Sequence, residues 1–170
     1  MLSAVAALRE ATGPDHDAVD AAFGGFDLQT RAGYAAFLTA HARALPAVEE
    51  ALAAIPAFPA PRPRTDLLAA DLAALGEPMP DPLPFALTDH GAAAWGALYV
   101  IEGSRLGGIM LARSVAEGWP AAYLGAKHLP GEWRGLLSAI DAAATGEAWI
   151  ASAVDAARAT FALYHKAAAS

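Results

Sequence analysis

Apolar residues recur in steps of three and four through most of the chain, the spacing of one face of an α-helix. The first such segment puts Val5, Leu8, Thr12, His16, Val19 and Phe23 on a single face. Gly13 and Pro14 interrupt it. Proline lacks the backbone donor and its ring crowds the carbonyl four residues back, so a kink or a restart is expected there. Gly24 and Gly25 then end the segment. The cleanest amphipathic pattern starts near Thr30 and carries Tyr34, Phe37, Leu38, His41, Leu45, Val48 and Leu52, with Pro46 expected to bend it. Pro56, Pro59, Pro61 and Pro63 make residues 56–64 an extended connector. Thr65 is expected to cap a short helix bearing Leu67, Leu68, Leu72 and Leu75, closed by Gly76. After a second proline-rich connector at 78–84, Thr88 and Asp89 open a helical stretch over 89–117, with breaks expected at Gly103, Gly107 and Gly108. Two last helices are expected near 131–144 and 147–168. With no internal repeat and no second core, residues 1–170 read as one all-α domain, a bundle of about seven or eight helices.

Composition narrows the classes of partner. The 56% hydrophobic content is ample for a core and is inflated by alanine, which favours helix. β-Branched residues are scarce, which argues against a sheet. There is no cysteine, so disulfides, thiolate-ligated metals and cysteine nucleophiles are excluded. The opening MLSAVAALREAT lacks a basic n-region and a long apolar stretch, and no apolar run reaches the roughly 18 residues of a spanning helix. A cytoplasmic protein with no membrane partner is the simplest expectation. The net charge of −7 argues against a nucleic-acid partner, which would want a basic face.

Two stretches carry candidate chemistry. His16 sits in the middle of an apolar face, which fits a buried histidine bonded to a carbonyl. It also fits an axial ligand, a neutral imidazole aimed into an apolar slot that holds a haem. Asp20, one turn on, could fix the tautomer through the other ring nitrogen. Arg9 precedes His16 by two helical turns, about 10 Å, where a cation can meet a carboxylate at the edge of a flat ligand. A solvated surface arginine is the plainer alternative. His41 is a second candidate ligand, although a core histidine suits its face as well. His90, His128 and His165 have no partner at metal-ligand spacing, which disfavours a zinc or di-iron site. The second stretch runs from Tyr99 to Gly108 and holds three glycines, each costing about 1 kcal/mol in a helix relative to alanine. Gly103 and Gly107 have the spacing of a close helix–helix contact. They would equally let a ligand approach the backbone where side chains would block it.

These residues resemble a known family. Leu8-Arg9-Glu-Ala-Thr12-Gly-Pro-Asp-His16-Asp-Ala-Val-Asp20 is similar to the proximal helix of haem oxygenases, L-[KR]-x-x-T-x-x-x-H-x-x-x-[DE]. Tyr99-Val-Ile-Glu-Gly103-Ser104-Arg-Leu-Gly107-Gly108 resembles the distal helix of bacterial members, Y-V-x-E-G-S-x-L-G-G. Weaker echoes are Arg31, Tyr34, Phe37, Leu38 and His41, the Asp71-Leu72 to Leu75-Gly76 stretch, Trp133, and Ala157 to Tyr164, so the resemblance spans nearly the whole chain.

The resemblance implies an O2-dependent enzyme that cleaves haem to biliverdin, the IXα isomer being expected, with release of CO and iron. Haem would be both substrate and prosthetic group, and an external donor, a reductase or ferredoxin-type protein, would supply electrons. His16 would be the axial iron ligand, with Asp20 in support. Arg9 and Tyr99 match positions that hold a propionate, and Arg134 beside Trp133 is counted with the haem contacts. Gly103, Ser104, Gly107 and Gly108 would line the distal side, where bound oxygen is steered. Ser104 stands where many members have Asp, so proton delivery would run through water and other polar groups. A bacteriophytochrome is a possible acceptor of the biliverdin. A non-catalytic haem or tetrapyrrole carrier on the same scaffold is the alternative.

Overall fold

The computed structural model describes residues 3–59 and 62–170, so Pro61 of the first connector lies outside it. Among the described residues there are six helices: α1 (Ala4–Phe23), α2 (Arg31–Ala53), α3 (Thr65–Ala74), α4 (Ala92–Ala112), α5 (Glu132–Ala143) and α6 (Glu147–Ala169). The count falls below the expected seven or eight because two expected interruptions do not occur. α1 runs through Gly13-Pro14 without a restart. The carbonyl that Pro14 leaves without a donor belongs to Glu10, and both residues face solvent, where water can satisfy it. α4 likewise runs unbroken through Gly103, Gly107 and Gly108. Glycine's intrinsic penalty is outweighed there by packing along the rest of the helix, as propensity usually is.

Helix ends follow local chemistry. Ser3 and Thr30 cap α1 and α2, accepting from the backbone N–H of Ala6 and Gly33 at 3.1 Å each. Thr65 is the first residue of α3 rather than its cap, and it donates through its backbone and its hydroxyl to the buried Glu49 on α2. α3 closes on Gly76 at φ +76°, with the N–H of Glu77 bonded to the Leu72 carbonyl and that of Gly76 to Ala73. This is a Schellman closure, which needs a left-handed residue at Gly76. Asp89 accepts from the N–H groups of Gly91 and Ala93 and so opens α4, three residues later than the sequence pattern suggests.

α6 is the spine of the bundle: α4, α1 and α2 all pack against it, with α3 on α2 and α5 against α1 and α4. The α4–α6 crossing is close because Gly96 carries no side chain. A Cβ there would lie 2.1 Å from the Ala153 carbonyl oxygen. Thus the glycine that helix packing demands is Gly96, one turn before the glycine-rich stretch. Two apolar clusters result, one centred on α2 and one between α1, α4 and α6. No helix among the described residues is long and apolar enough to cross a membrane.

Candidate functional site

α1 and α4 are two walls of one cleft. It is open, measures about 460 Å³ and is floored by residues of α2, α6 and the 120s loop. Every residue expected at the site except Arg134 lines this cleft. Arg134 is exposed on α5, where its neighbour Trp133 takes the inward position.

His16 is on the α1 wall and is not a buried histidine: 59% of its side chain is exposed. Its Nδ1 faces the Asp20 carboxylate at 3.4 Å and that of Asp17 at 3.8 Å. The edge of Phe161 meets the ring at a centroid distance of 5.9 Å. Nε2 has no protein hydrogen bond among the described residues. Nδ1 is thus near two carboxylates while Nε2 is left open, so the imidazole could hold a metal from the cleft side. Two turns back, the Arg9 guanidinium lies beside the Tyr99 hydroxyl of α4, so the cleft has a cation and a phenol together at one end. Burial raises the Tyr99 pKa and the nearby Arg9 opposes the rise. Tyr99 therefore keeps its proton and can donate it in a hydrogen bond.

The α4 wall shows what each glycine is for. A Cβ on Gly107 would meet nothing within 4 Å, so no packing requires a glycine there. One on Gly103 would touch only the edge of Trp133, at 3.4 Å. One on Gly108 would sit 3.1 Å from the Leu124 carbonyl, so that glycine does serve the contact between α4 and the 120s loop. The helix-packing reading is therefore set aside for Gly107, while Gly103 lines the cleft with the Trp133 side chain of α5 beside it.

Beneath this wall lies a polar group that the sequence pattern does not announce. The Ser104 hydroxyl donates to the Ile101 carbonyl at 2.6 Å and receives Nη2 of Arg64 at 3.0 Å. Arg64 is buried, and its guanidinium stands 5.4 Å from the Tyr123 ring centroid. The Tyr123 hydroxyl is 2.6 Å from Nδ1 of His41. Arg64 Nε and the Tyr164 hydroxyl are both buried without a hydrogen-bond partner among the described residues. Buried polar atoms are ordinarily satisfied, so these two, in residues that also line the cleft, are exceptions to that rule. No local signal marks Arg64, since its partners come from positions 101, 104 and 123.

His41 shows part of its ring to the cleft and is otherwise enclosed by Phe23, Phe37 and Tyr164. Burial, reinforced by the Arg64 cation, lowers its pKa from 6.5 to about 3, so the ring is neutral in the folded protein. The unfolded chain takes up a proton below pH 6.5 and the folded one does not. Stability should therefore be full above pH 6.5 and fall as the pH drops toward 3, by up to about 1.4 kcal/mol per pH unit for this one proton. Denaturant unfolding of the native protein and of His41→Phe between pH 7 and pH 4 reads the slope. An equally steep slope in the variant would mean that His41 titrates normally.

No protein-family model matches the chain. It is 34% identical over 110 residues to a haem oxygenase of Xanthomonas campestris pathovar campestris, an alignment covering 61% of this chain and 66% of that relative. The structure superposes on the crystal structure of the haem oxygenase of Neisseria meningitidis in its NO- and CO-bound forms. The TM-score is 0.80 and the identity 26%, with 99% of this chain and 91% of the other covered. The chain has the haem oxygenase fold. Within that fold the cleft between α1 and α4 gathers both stretches that resembled the family by sequence.

Proposed function

We propose that the protein is a haem oxygenase, binding haem in the α1–α4 cleft with His16 as axial ligand. The observation that carries this reading is the pairing of an open-faced imidazole with a glycine wall. His16 offers Nε2 on one side, and on the other Gly107 leaves space that no neighbouring group fills. The rest of the cleft suits a flat, apolar macrocycle with acidic edges. Its walls include Phe23, Val100, Leu106, Leu111 and Phe161, and its charged and phenolic donors, Arg9 and Tyr99, stand at one end.

Bound haem supplies the iron at which O2 is reduced and the ring that is opened, yielding biliverdin, CO and iron. The protein's contribution is positioning and electrostatics. His16, steadied by Asp20, holds the macrocycle from the α1 side. Gly103 and Gly107 keep the opposite face clear of side chains, so that a small ligand and water fit above the ring. Ser104 and Arg64, with the His41–Tyr123 pair behind them, hold water for proton delivery where a carboxylate is absent. An external reductase or ferredoxin-type donor supplies electrons. The reaction can serve iron release from haem, or its bilin product can serve as chromophore for a bacteriophytochrome.

Propionates make the haem edge asymmetric, so their anchoring sets which meso carbon faces the oxygen. A charge-assisted hydrogen bond contributes roughly 1.5–3 kcal/mol, enough to bias seating more than tenfold. With Arg9 and Tyr99 both present, the expected product is mainly biliverdin IXα. Haemin titration should give a Soret band, and turnover with O2 and a reductant should give that isomer on chromatography. Arg9→Ala combined with Tyr99→Phe should give mixed isomers. A Soret band without bilin would make the protein a haem carrier, and no Soret band would end the haem reading.

A further inference from the structure

We propose that His128 is a positioning residue: through Trp133 it fixes Tyr99, and so sets the rotation at which haem is seated. The inference rests on the haem reading and extends it to residues outside both recognisable stretches. Three rings are stacked in a row at the Tyr99 end of the cleft. Tyr99 and Trp133 have centroids 5.9 Å apart with planes inclined at 29°. Trp133 and His128 are 5.4 Å apart at 30°. Tyr99 belongs to α4, Trp133 to the first turn of α5, and His128 to the loop before it. Because Tyr99 and Gly103 are one turn apart, the same indole that backs the Tyr99 ring also reaches Gly103, at 3.4 Å from a Cβ position. Trp133 is thus the side wall joining the anchor end of the cleft to its glycine face.

His128 is held from behind as an orienting group is held. Its Nδ1 lies 3.2 Å from Oε1 of Glu132, and its side chain is 10% exposed. Arg62 grips that carboxylate through Nη2 at 2.8 Å and Nε at 3.3 Å, and also donates to the Lys127 carbonyl. The bond from Arg62, assisted by that from His128, holds the Glu132 pKa down to about 2. The carboxylate is therefore an acceptor at any working pH, and His128 carries its proton on Nδ1. Nε2 of His128 is buried with no partner among the described residues. Packing alone would be better served by phenylalanine, since a buried unsatisfied polar atom is costly. What histidine adds is a tether that fixes the angle of the ring against Trp133. Loss of that ring lets Trp133 tilt, frees Tyr99 and opens space beside Gly103. The edge of the macrocycle then finds more than one seat.

The test is the isomer ratio of extracted bilins, with circular dichroism and a haemin titration on the same preparations. His128→Gln keeps an amide donor for Glu132 but no ring, and should raise the minor isomers about two- to tenfold, the range that an aromatic pair contributes. His128→Phe restores the ring without its tether to Glu132 and should bring the ratio only part of the way back. Trp133→Leu should shift it at least as far as His128→Gln. In the ferric form, the paramagnetically shifted haem-methyl resonances should split into two sets in the same variants that mix products. Folded, haem-binding His128→Gln and Trp133→Leu proteins with the native ratio overturn the proposal and leave the haem reading intact. If the native protein shows no Soret band, the haem reading falls and this inference falls with it.

Discussion

His16→Ala should give a folded, fully helical protein that no longer opens haem. The fold should survive because His16 contributes little to it: the side chain is 59% exposed, and its contacts are two exposed carboxylates and the edge of Phe161. Alanine is also the better helix former. The cleft, by contrast, loses the imidazole nitrogen that would face iron. Changes in an outer-shell partner alone typically cost about ten- to a hundredfold at a metal site, so loss of the ligand itself should exceed that. His41 cannot take over. Its Nδ1 is committed to Tyr123 and it lies on the floor of the cleft, walled by Phe23 and Phe37. The side chain removed is an imidazole at an exposed wall, so added imidazole can enter the space and should restore part of the Soret band and of turnover. Absorption spectra and bilin yield with and without imidazole check this. Undiminished turnover in the variant without imidazole would show that the iron ligand lies elsewhere.

What the sequence reveals and what it hides divide along the range of the interactions. The order of the helices, the start near Thr30, the closure at Gly76 and the two family-like stretches are local patterns, and each was legible. Gly13-Pro14 and the glycines at 103, 107 and 108 are local too, yet they mislead, because the packing that carries a helix through weak residues comes from distant parts of the chain. His16 shows a further ambiguity. A 3.6-residue apolar period marks a face that avoids water, and both a core and a ligand slot satisfy it. The period groups His16 with Leu8 and Thr12, but those two are buried while His16 is open to the cleft. Arg64 was hidden altogether: it follows a proline connector, and the groups that make it notable lie some forty to sixty residues away along the chain.

Gly107→Leu should separate function from stability more sharply than any other change in the cleft. A glycine kept for packing gives itself away by what a Cβ would strike. Gly96 would strike the Ala153 carbonyl at 2.1 Å, and Gly108 would press on that of Leu124 at 3.1 Å. Gly107 would strike nothing, so the fold has no use for its lack of a side chain. Replacing it removes the helix penalty of glycine, and stability should stay level or rise by up to about 1 kcal/mol. Turnover should move the other way. An isobutyl group projecting from the distal wall fills the space above the ring that a small ligand and its waters need, and a displacement of about 1 Å at reacting atoms can cost a hundredfold. Haem itself should still bind, because His16, Arg9 and Tyr99 are untouched, and the Soret band should persist. Gly103→Leu is a less clean probe, since its side chain would also press on Trp133 and disturb the wall beside Tyr99. Thermal unfolding, haemin titration and single-turnover bilin formation on Gly107→Leu together decide the matter. A variant as active as the native protein would mean that oxygen does not sit beside Gly107. A variant that loses both fold and activity would mean that the open space at Gly107 is needed by the helix after all.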